Sequence, residues 1–372
     1  MLALIAIAVL APLLYIPGFL IERAVRGGGR THDPLERHFE RTILGALLNG
    51  WLALTLAEIG IFANWLHLLL LTLGCGGAAW AAYRRGAMML PRSLDYLDGR
   101  RKTEDESLYL PPSSFVFRLP SHRDNSNAAI GQRLQVINWQ TAATLVLGVI
   151  TLLLVSRPFE VILGVRDAGF YSNTGFAIAQ HGGIIQHDEI IAGIGADTQS
   201  SDPELAAAAA QAETNFLSKQ DKERYLWTGI RAAGFFFERE QITDGAVYPQ
   251  GFHLFPAWIG LLTSLLGREG GLLATGLMGF LGVWSVGMVG RRLGGPWVGL
   301  LAALLLALNG VQVWFSRYST TETTAQFLTF AGIWAFSSYQ LSASNRQRAG
   351  NNRQPTTDNR QSTTGNCQPC MP

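Results

Sequence analysis

The chain has 372 residues, 48% hydrophobic and 15% charged, against about 25% charged in an ordinary soluble domain. Its net charge of +2 is too small to argue for a nucleic-acid partner. The charges gather in a few segments and vanish from others, which argues against a single soluble domain and for an all-α polytopic membrane protein.

Residues 1–21 are apolar and long enough to span ~30 Å of hydrocarbon at ~1.5 Å per residue. They lack the basic start and small-residue cleavage site of a signal peptide, and Pro12 and Pro17 predict kinks. Arg23, Arg26, Arg30, Arg37 and Arg41 follow. Further spans are predicted over 43–62 and 65–83, closing an N-terminal unit of residues 1–83. Residues 84–138 form a polar loop with nine basic residues between Arg84 and Arg133, and Pro111-Pro112 and Asp124-Asn125 mark it as irregular. A fourth span covers 139–155. Basic residues favour the cytoplasmic side. Both arginine-rich stretches face the cytoplasm only when the N-terminus is outside, which puts the large loop 157–250 outside. That loop contains a strong helix former over 204–213 and a turn at Asp244-Gly245, but no strand alternation.

Residues 252–267 are apolar but number only 16, short for a span and suited to a helix lying at the interface. Spans over 270–290, 297–314 and 323–339 complete a module running from 139 to 341. The expectation is about seven transmembrane helices, one interfacial helix and one large external loop. If 252–267 lies flat, Arg291 and Arg292 fall inside and Glu322 joins Asp167 outside, as the basic-residue bias prefers. The polar tail, 342–372, is expected to be disordered because it has almost nothing to bury.

Two readings of Asp167 stand side by side. It can start a short helix ending at Gly182-Gly183 with Phe170, Tyr171, Thr174 and Ile178 toward one side. It can also serve as a general base at the membrane surface. Glu322 is a boundary residue or a second carboxylate facing the same site. Arg268 is an interfacial anchor or a grip for a lipid phosphate. Glu58, late in the second span, is an intramembrane carboxylate or one that reaches water. His181, His187 and His253 do not share a metal spacing, and the lone Cys367–Cys370 pair is a weak metal signal, so no metal or other cofactor is expected.

Four segments then recur in a telling order. They are Asp167-Ala-Gly-Phe-Tyr171 with Ile178-Ala-Gln-His-Gly182, Tyr248-Pro-Gln-Gly-Phe-His253 with Phe255-Pro256, Val289-Gly-Arg-Arg-Leu-Gly294, and Val313-Trp-Phe-Ser-Arg-Tyr318 up to Glu322. Together they resemble the GT-C glycosyltransferases, nearest to the protein O-mannosyltransferases and the aminoarabinose transferases of bacterial lipid A. The resemblance covers roughly residues 139–339. It implies a sugar transferase in the plasma membrane, using a polyprenyl-phosphate-linked sugar as donor and a lipid, glycan or protein as acceptor among membrane lipids. It assigns Asp167 and Glu322 to catalysis and Tyr171, His253, Arg268 and Arg317 to substrate binding. The chain departs from the family pattern. Ala168 stands where many relatives carry a second acidic residue, three extra spans come first, and relatives usually continue into several further spans. The resemblance therefore implies a shortened copy. The rival classes are a secondary transporter, for which no inverted repeat is found, and a non-catalytic membrane scaffold.

Overall fold

Helix α1 (Leu2–Arg26) is the first of a packed N-terminal set in the computed structural model, which describes residues 2–26, 33–87, 139–160, 167–217, 230–232, 235–237 and 244–351. The expected polar loop beyond residue 87, the Cys367–Cys370 pair and residues 352–372 lie outside the described residues. Helix α2 (Pro34–Glu58) begins where the Asp33 side chain accepts from the Leu35 amide at 3.0 Å and Pro34 takes the first helical position. Helix α3 (Asn64–Arg84) follows a turn with Gly60 at φ 79°. Helices α1 and α2 touch backbone to backbone: a Cβ on Gly18 would run into the Arg41 carbonyl, and one on Gly45 into the Leu14 carbonyl. Asn49, fully buried on α2, donates to the Leu13 and Gly45 carbonyls and accepts from His67 Nε2 at 3.0 Å, tying three helices together.

One end of this bundle collects the arginines. Arg41 donates to Glu22 at 2.5 Å and to the Tyr15 hydroxyl at 2.6 Å. Arg85 donates to the Ala24 carbonyl, Arg291 to Asp33, and Arg292 to Glu36 at 2.8 Å. Burial works against the Arg41 charge, but the bonds to Glu22 and Tyr15 outweigh it and hold the guanidinium above its ordinary range. Burial, with Arg41 and Arg37 alongside, holds His38 below the usual histidine value of 6.5. The Glu22 and Arg41 side chains are only 11% and 8% exposed, so removing the Glu22 charge leaves the Arg41 guanidinium buried beside the neutral Tyr15 hydroxyl. Glu22→Gln is expected to lower stability by about 3 kcal/mol, read by denaturant unfolding in mixed micelles. A change within about 0.5 kcal/mol would show that the pair is solvated.

Helix α4 (Trp139–Val155) leads to α5 (Asp167–His181), β1 (Gln186–His187), α6 (Glu189–Asp197), α7 (Pro203–Leu217), β2 (Ile230–Ala232), β3 (Phe235–Phe237) and β4 (Ala246–Pro249). The strands form an antiparallel sheet in the order β1-β4-β3-β2. The all-α expectation is corrected to mostly helical with a small sheet in this loop; segments of two to four residues are too short to display a period of two.

Helix α8 (Leu254–Gly294) is two helices meeting at Gly267, whose φ of 78° and ψ of 179° interrupt the helix. The first half starts beside Glu58, at the far end of α2, and the second ends at Asp33 and Glu36, at its near end. Gly271 lies against Thr263 and Ile259, so the first half turns back along the opening turns of the second. Only the second half, about 40 Å long by residue count, runs between the two ends of the bundle. The predicted boundary at residue 267 is therefore where the backbone breaks.

The expected span over 297–314 is interrupted. It divides into α9 (Pro296–Ala307) and α10 (Gly310–Phe315), because Asn309 caps the second by accepting from Val311 and Gln312 amides at 2.9 and 3.2 Å. Helix α9 rises only about 18 Å, less than the hydrocarbon thickness. Helix α11 (Glu322–Asn351) continues ten residues into the tail expected to be disordered. That expectation is corrected for 342–351: extending an anchored helix avoids the cost of nucleation, and Ala, Gln and Arg have favourable helix propensity. Among the described residues, three helical stretches, Ile5–Val25, Asn64–Arg84 and Leu254–Gly294, are long and apolar enough to cross a membrane, with shorter apolar helices at Ala142–Val155 and Pro296–Ala307. The core where these elements meet is aromatic: fully buried Phe39 on α2 packs 5.2 Å from both Trp284 on α8 and Trp334 on α11.

Candidate functional site

Asp167 is the first residue of α5 and exposed, as the helix-start reading expects. Among the described residues it makes no hydrogen bond or ion pair. One turn on, at the spacing that places two side chains on one helix face, Tyr171 packs 6.0 Å from Phe255 at the start of α8. A Cβ at Gly251 would sit 3.4 Å from the Tyr171 hydroxyl, so the turn before α8 closes over that ring.

Helix α5 is fastened to the first half of α8 by two glycines. A Cβ on Gly175 would lie 2.5 Å from Ile259, and one on Gly260 would lie 2.8 Å from Ile178. The C-terminus of α5 is tied to the other helices: the Phe62 amide donates to the Gly182 carbonyl at 2.8 Å and the Ile184 amide to the Ala57 carbonyl at 3.2 Å. This end of α5 therefore sits at the end of α2 away from the arginines.

His253, the residue preceding α8, is held from two sides. Nδ1 lies 2.9 Å from Glu58 Oε1 and Nε2 lies 3.2 Å from the Pro249 carbonyl. The Pro249 carbonyl can only accept, so Nε2 donates to it, and Nδ1 faces the Glu58 carboxyl. Glu58 is half exposed and also orients a residue 195 positions away. Composition and spacing could not have paired them.

Arg317 and Glu322 belong to a second group. Arg317 Nε donates to the Arg157 carbonyl at 2.5 Å, and its guanidinium sits 4.5 Å from the centre of the Phe159 ring. The Phe159 amide donates back to the Arg317 carbonyl at 2.7 Å. Glu322 is exposed at the first turn of α11, where a carboxylate suits the helix dipole, and it does not pair with Arg317. Ser319 lies 3.4 Å from Thr275 on α8, while Gly279 and Gly282 receive Ser316 and Gln326.

Arg268 lies at the end of the first half of α8 away from His253. It follows the Gly267 break, is exposed, and makes no ion pair among the described residues. Thr275 is seven residues further on, about 10 Å along the same face. Helix α5 runs alongside the first half of α8 in the same direction, Tyr171 by Phe255 and Gly175 by Ile259, so Asp167 and His253 lie toward the start of that half and Arg268 follows its other end; the second half carries the Ser319–Glu322 turn. The structure places Asp167 one helical turn before Tyr171, joins His253 to Glu58 and the Pro249 carbonyl, and joins Arg317 to Arg157 and Phe159. It does not bring the Asp167 and Glu322 carboxylates into contact.

His187 bonds the Asp244 carbonyl at 3.0 Å, which fixes β1 to the turn before β4. Among the described residues, no three of the His, Cys, Asp and Glu side chains are placed to hold a metal ion. The fold and site together define a mostly helical protein with helices long and apolar enough to cross a membrane and exposed carboxylates at two helix starts. No family model, curated protein or solved structure matches the chain.

Proposed function

We propose that this chain is a membrane glycosyltransferase that moves a sugar from a polyprenyl-phosphate donor to a hydroxyl- or amine-bearing acceptor. The acceptor is a lipid, a glycan or a protein on the extracytoplasmic face of the plasma membrane. The observation that carries this reading is Arg268: an exposed cation with no anionic partner among the described residues, set directly after a helix break. A guanidinium left free in this way suits a phosphate, which it can grip through two parallel N–H bonds.

The orientation follows from the arginines. Arg41, Arg85, Arg291 and Arg292 meet at one end of the bundle, which the basic-residue bias assigns to the cytoplasm. The far end, where α5 and the sheet are attached, then lies outside.

In the reaction, the acceptor oxygen or nitrogen attacks the anomeric carbon from the face opposite the lipid phosphate. The bond from that carbon to the phosphate oxygen breaks, its electron pair leaves with the phosphate, and the configuration inverts. Asp167 accepts the proton released by the acceptor. Arg268 stabilises the charge gathering on the departing phosphate. Tyr171 and His253 border the sugar, and Glu322 and Arg317 border the acceptor or the donor headgroup from the second group. Phosphate leaves without a general acid.

The test is release of polyprenyl phosphate from a radiolabelled polyprenyl-phosphate sugar by the purified protein in nanodiscs, across a panel of hexose and pentose donors. Release that is lost in Arg268→Ala supports the reading. A monodisperse, folded protein that turns over none of the donors would overturn it.

A further inference from the structure

Phe252 is the most exposed large hydrophobic side chain among the described residues, at 82%. The turn that carries it lies on an aromatic cluster. Tyr171 packs 5.0 Å from Phe170 and 6.0 Å from Phe255, and Phe170 packs 5.2 Å from Phe235. Gly251 closes over that cluster, its Cβ position 3.4 Å from the Tyr171 hydroxyl and 4.0 Å from the Phe170 ring. The next residue is apolar too, yet it faces solvent.

The backbone on either side of Phe252 is fixed. Gly251 holds φ at 93°, a conformation that glycine takes without strain. His253 is bonded to the Glu58 carboxyl at 2.9 Å and to the Pro249 carbonyl at 3.2 Å, and Pro249 pairs with Phe235 in the sheet. The exposure of Phe252 is therefore built into a tethered turn, and a side chain presented this way loses little freedom when a ligand arrives. Oxygen acceptors surround it. Glu58 is half exposed; its Oε1 takes His253, and its Oε2 has no partner among the described residues. The Tyr171 hydroxyl lies against Gly251, and Asp167 is exposed one helical turn before Tyr171.

An aromatic face beside carboxylate and hydroxyl oxygens matches a pyranose. Such a ring has C–H groups on one face, which pack on the negative face of an aromatic ring, and a rim of hydroxyls that donate to carboxylates. A lipid tail would leave those acceptors unused. We propose that Phe252 is a stacking platform for the pyranose ring of a sugar, with Glu58 accepting from its hydroxyls and the Glu58–His253 bond positioning the platform. The ring belongs to the donor or to a glycan acceptor, which share this chemistry. The choice of a sugar rests on the transferase reading, but binding is measured without turnover, so the two fail separately.

The experiment is saturation-transfer NMR on the wild-type protein in nanodiscs, with methyl α-mannopyranoside, methyl β-glucopyranoside and methyl β-galactopyranoside as probes. Transfer is expected to be strongest to the protons on one face of at least one ring. Phe252→Ala is expected to weaken binding of that glycoside about tenfold, while Phe252→Trp retains it. Ile190→Ala, at another exposed apolar position, leaves it unchanged. Because Phe252 is exposed, its replacement does not disturb the core. Displacement of the glycoside by polyprenyl phosphate carrying the same sugar assigns the platform to the donor; persistence assigns it to the acceptor. Absence of transfer to all three glycosides overturns the proposal, as does equal affinity in wild type and Phe252→Ala. So does a nitroxide at position 252 that is as accessible to oxygen as one at Leu73 within α3, since the ring would then sit in the bilayer. Glycoside binding without release of polyprenyl phosphate counts against the transfer reaction alone.

Discussion

Asp167→Asn is expected to lower turnover of a polyprenyl-phosphate sugar by about 100- to 10,000-fold, the usual contribution of a positioned general base, with the melting temperature unchanged. The substitution is informative because Asn serves a helix start nearly as well as Asp. Asp167 opens α5 and is exposed, so its two possible roles coincide in one side chain. The amide keeps the structural role and loses the ability to take a proton. A helix-start function alone predicts equal turnover in the two proteins, and that result would remove Asp167 from the mechanism. Donor binding, measured separately, should change little, because the phosphate grip belongs to Arg268.

Gly175→Val is expected to cost about 3 kcal/mol or more of stability and to abolish activity in any protein that still folds. The added Cβ alone would stand 2.5 Å from Ile259 and 3.0 Å from the Pro256 carbonyl. One of those neighbours is backbone, so the strain cannot be relieved by a rotamer change; α5 has to move off α8, taking Asp167 and Tyr171 with it. Gly74→Ala on α3 is the control, since a Cβ there meets nothing within 4 Å. It is expected to leave activity intact and, being within a helix, to stabilise slightly. Equal tolerance of both substitutions, judged by denaturant unfolding, would mean that the α5–α8 contact does not set the site.

Local signals in the sequence anticipated the elements they punctuate. Asp167 and Gly182 bracket α5, and Gly182 adopts φ 79° where the helix ends. Gly267 marks the break in α8, and the Ala-rich stretch at 204–213 lies within α7. Hydropathy misled where a polar pair sits inside an apolar run. Asn309 and Gly310 end α9 early, although the summed pattern over 297–314 looks like a single span. The short strands carried too few residues to announce themselves.

The site was less legible, for a physical reason. Asp167 and Tyr171 are neighbours on one helix, so spacing alone puts them together. The Glu58–His253 bond joins α2 to the turn before α8, and the Arg317–Phe159 contact joins two loops. Such pairs are fixed by packing between distant segments. Glycines at 175 and 260 set how closely those segments approach, and a glycine in an apolar sequence looks the same whether it meets a helix or open space, as Gly74 does.

Sidedness is the most direct test of the account. Single cysteines are placed at 167 and 292 in a Cys75→Ser, Cys367→Ser, Cys370→Ser background, and intact cells are treated with a membrane-impermeant maleimide. The account predicts labelling at 167 and none at 292 until the cells are opened. Labelling at 292 with protection at 167 would put the Asp167 carboxylate in the cytoplasm, away from an extracytoplasmic donor, and would contradict it.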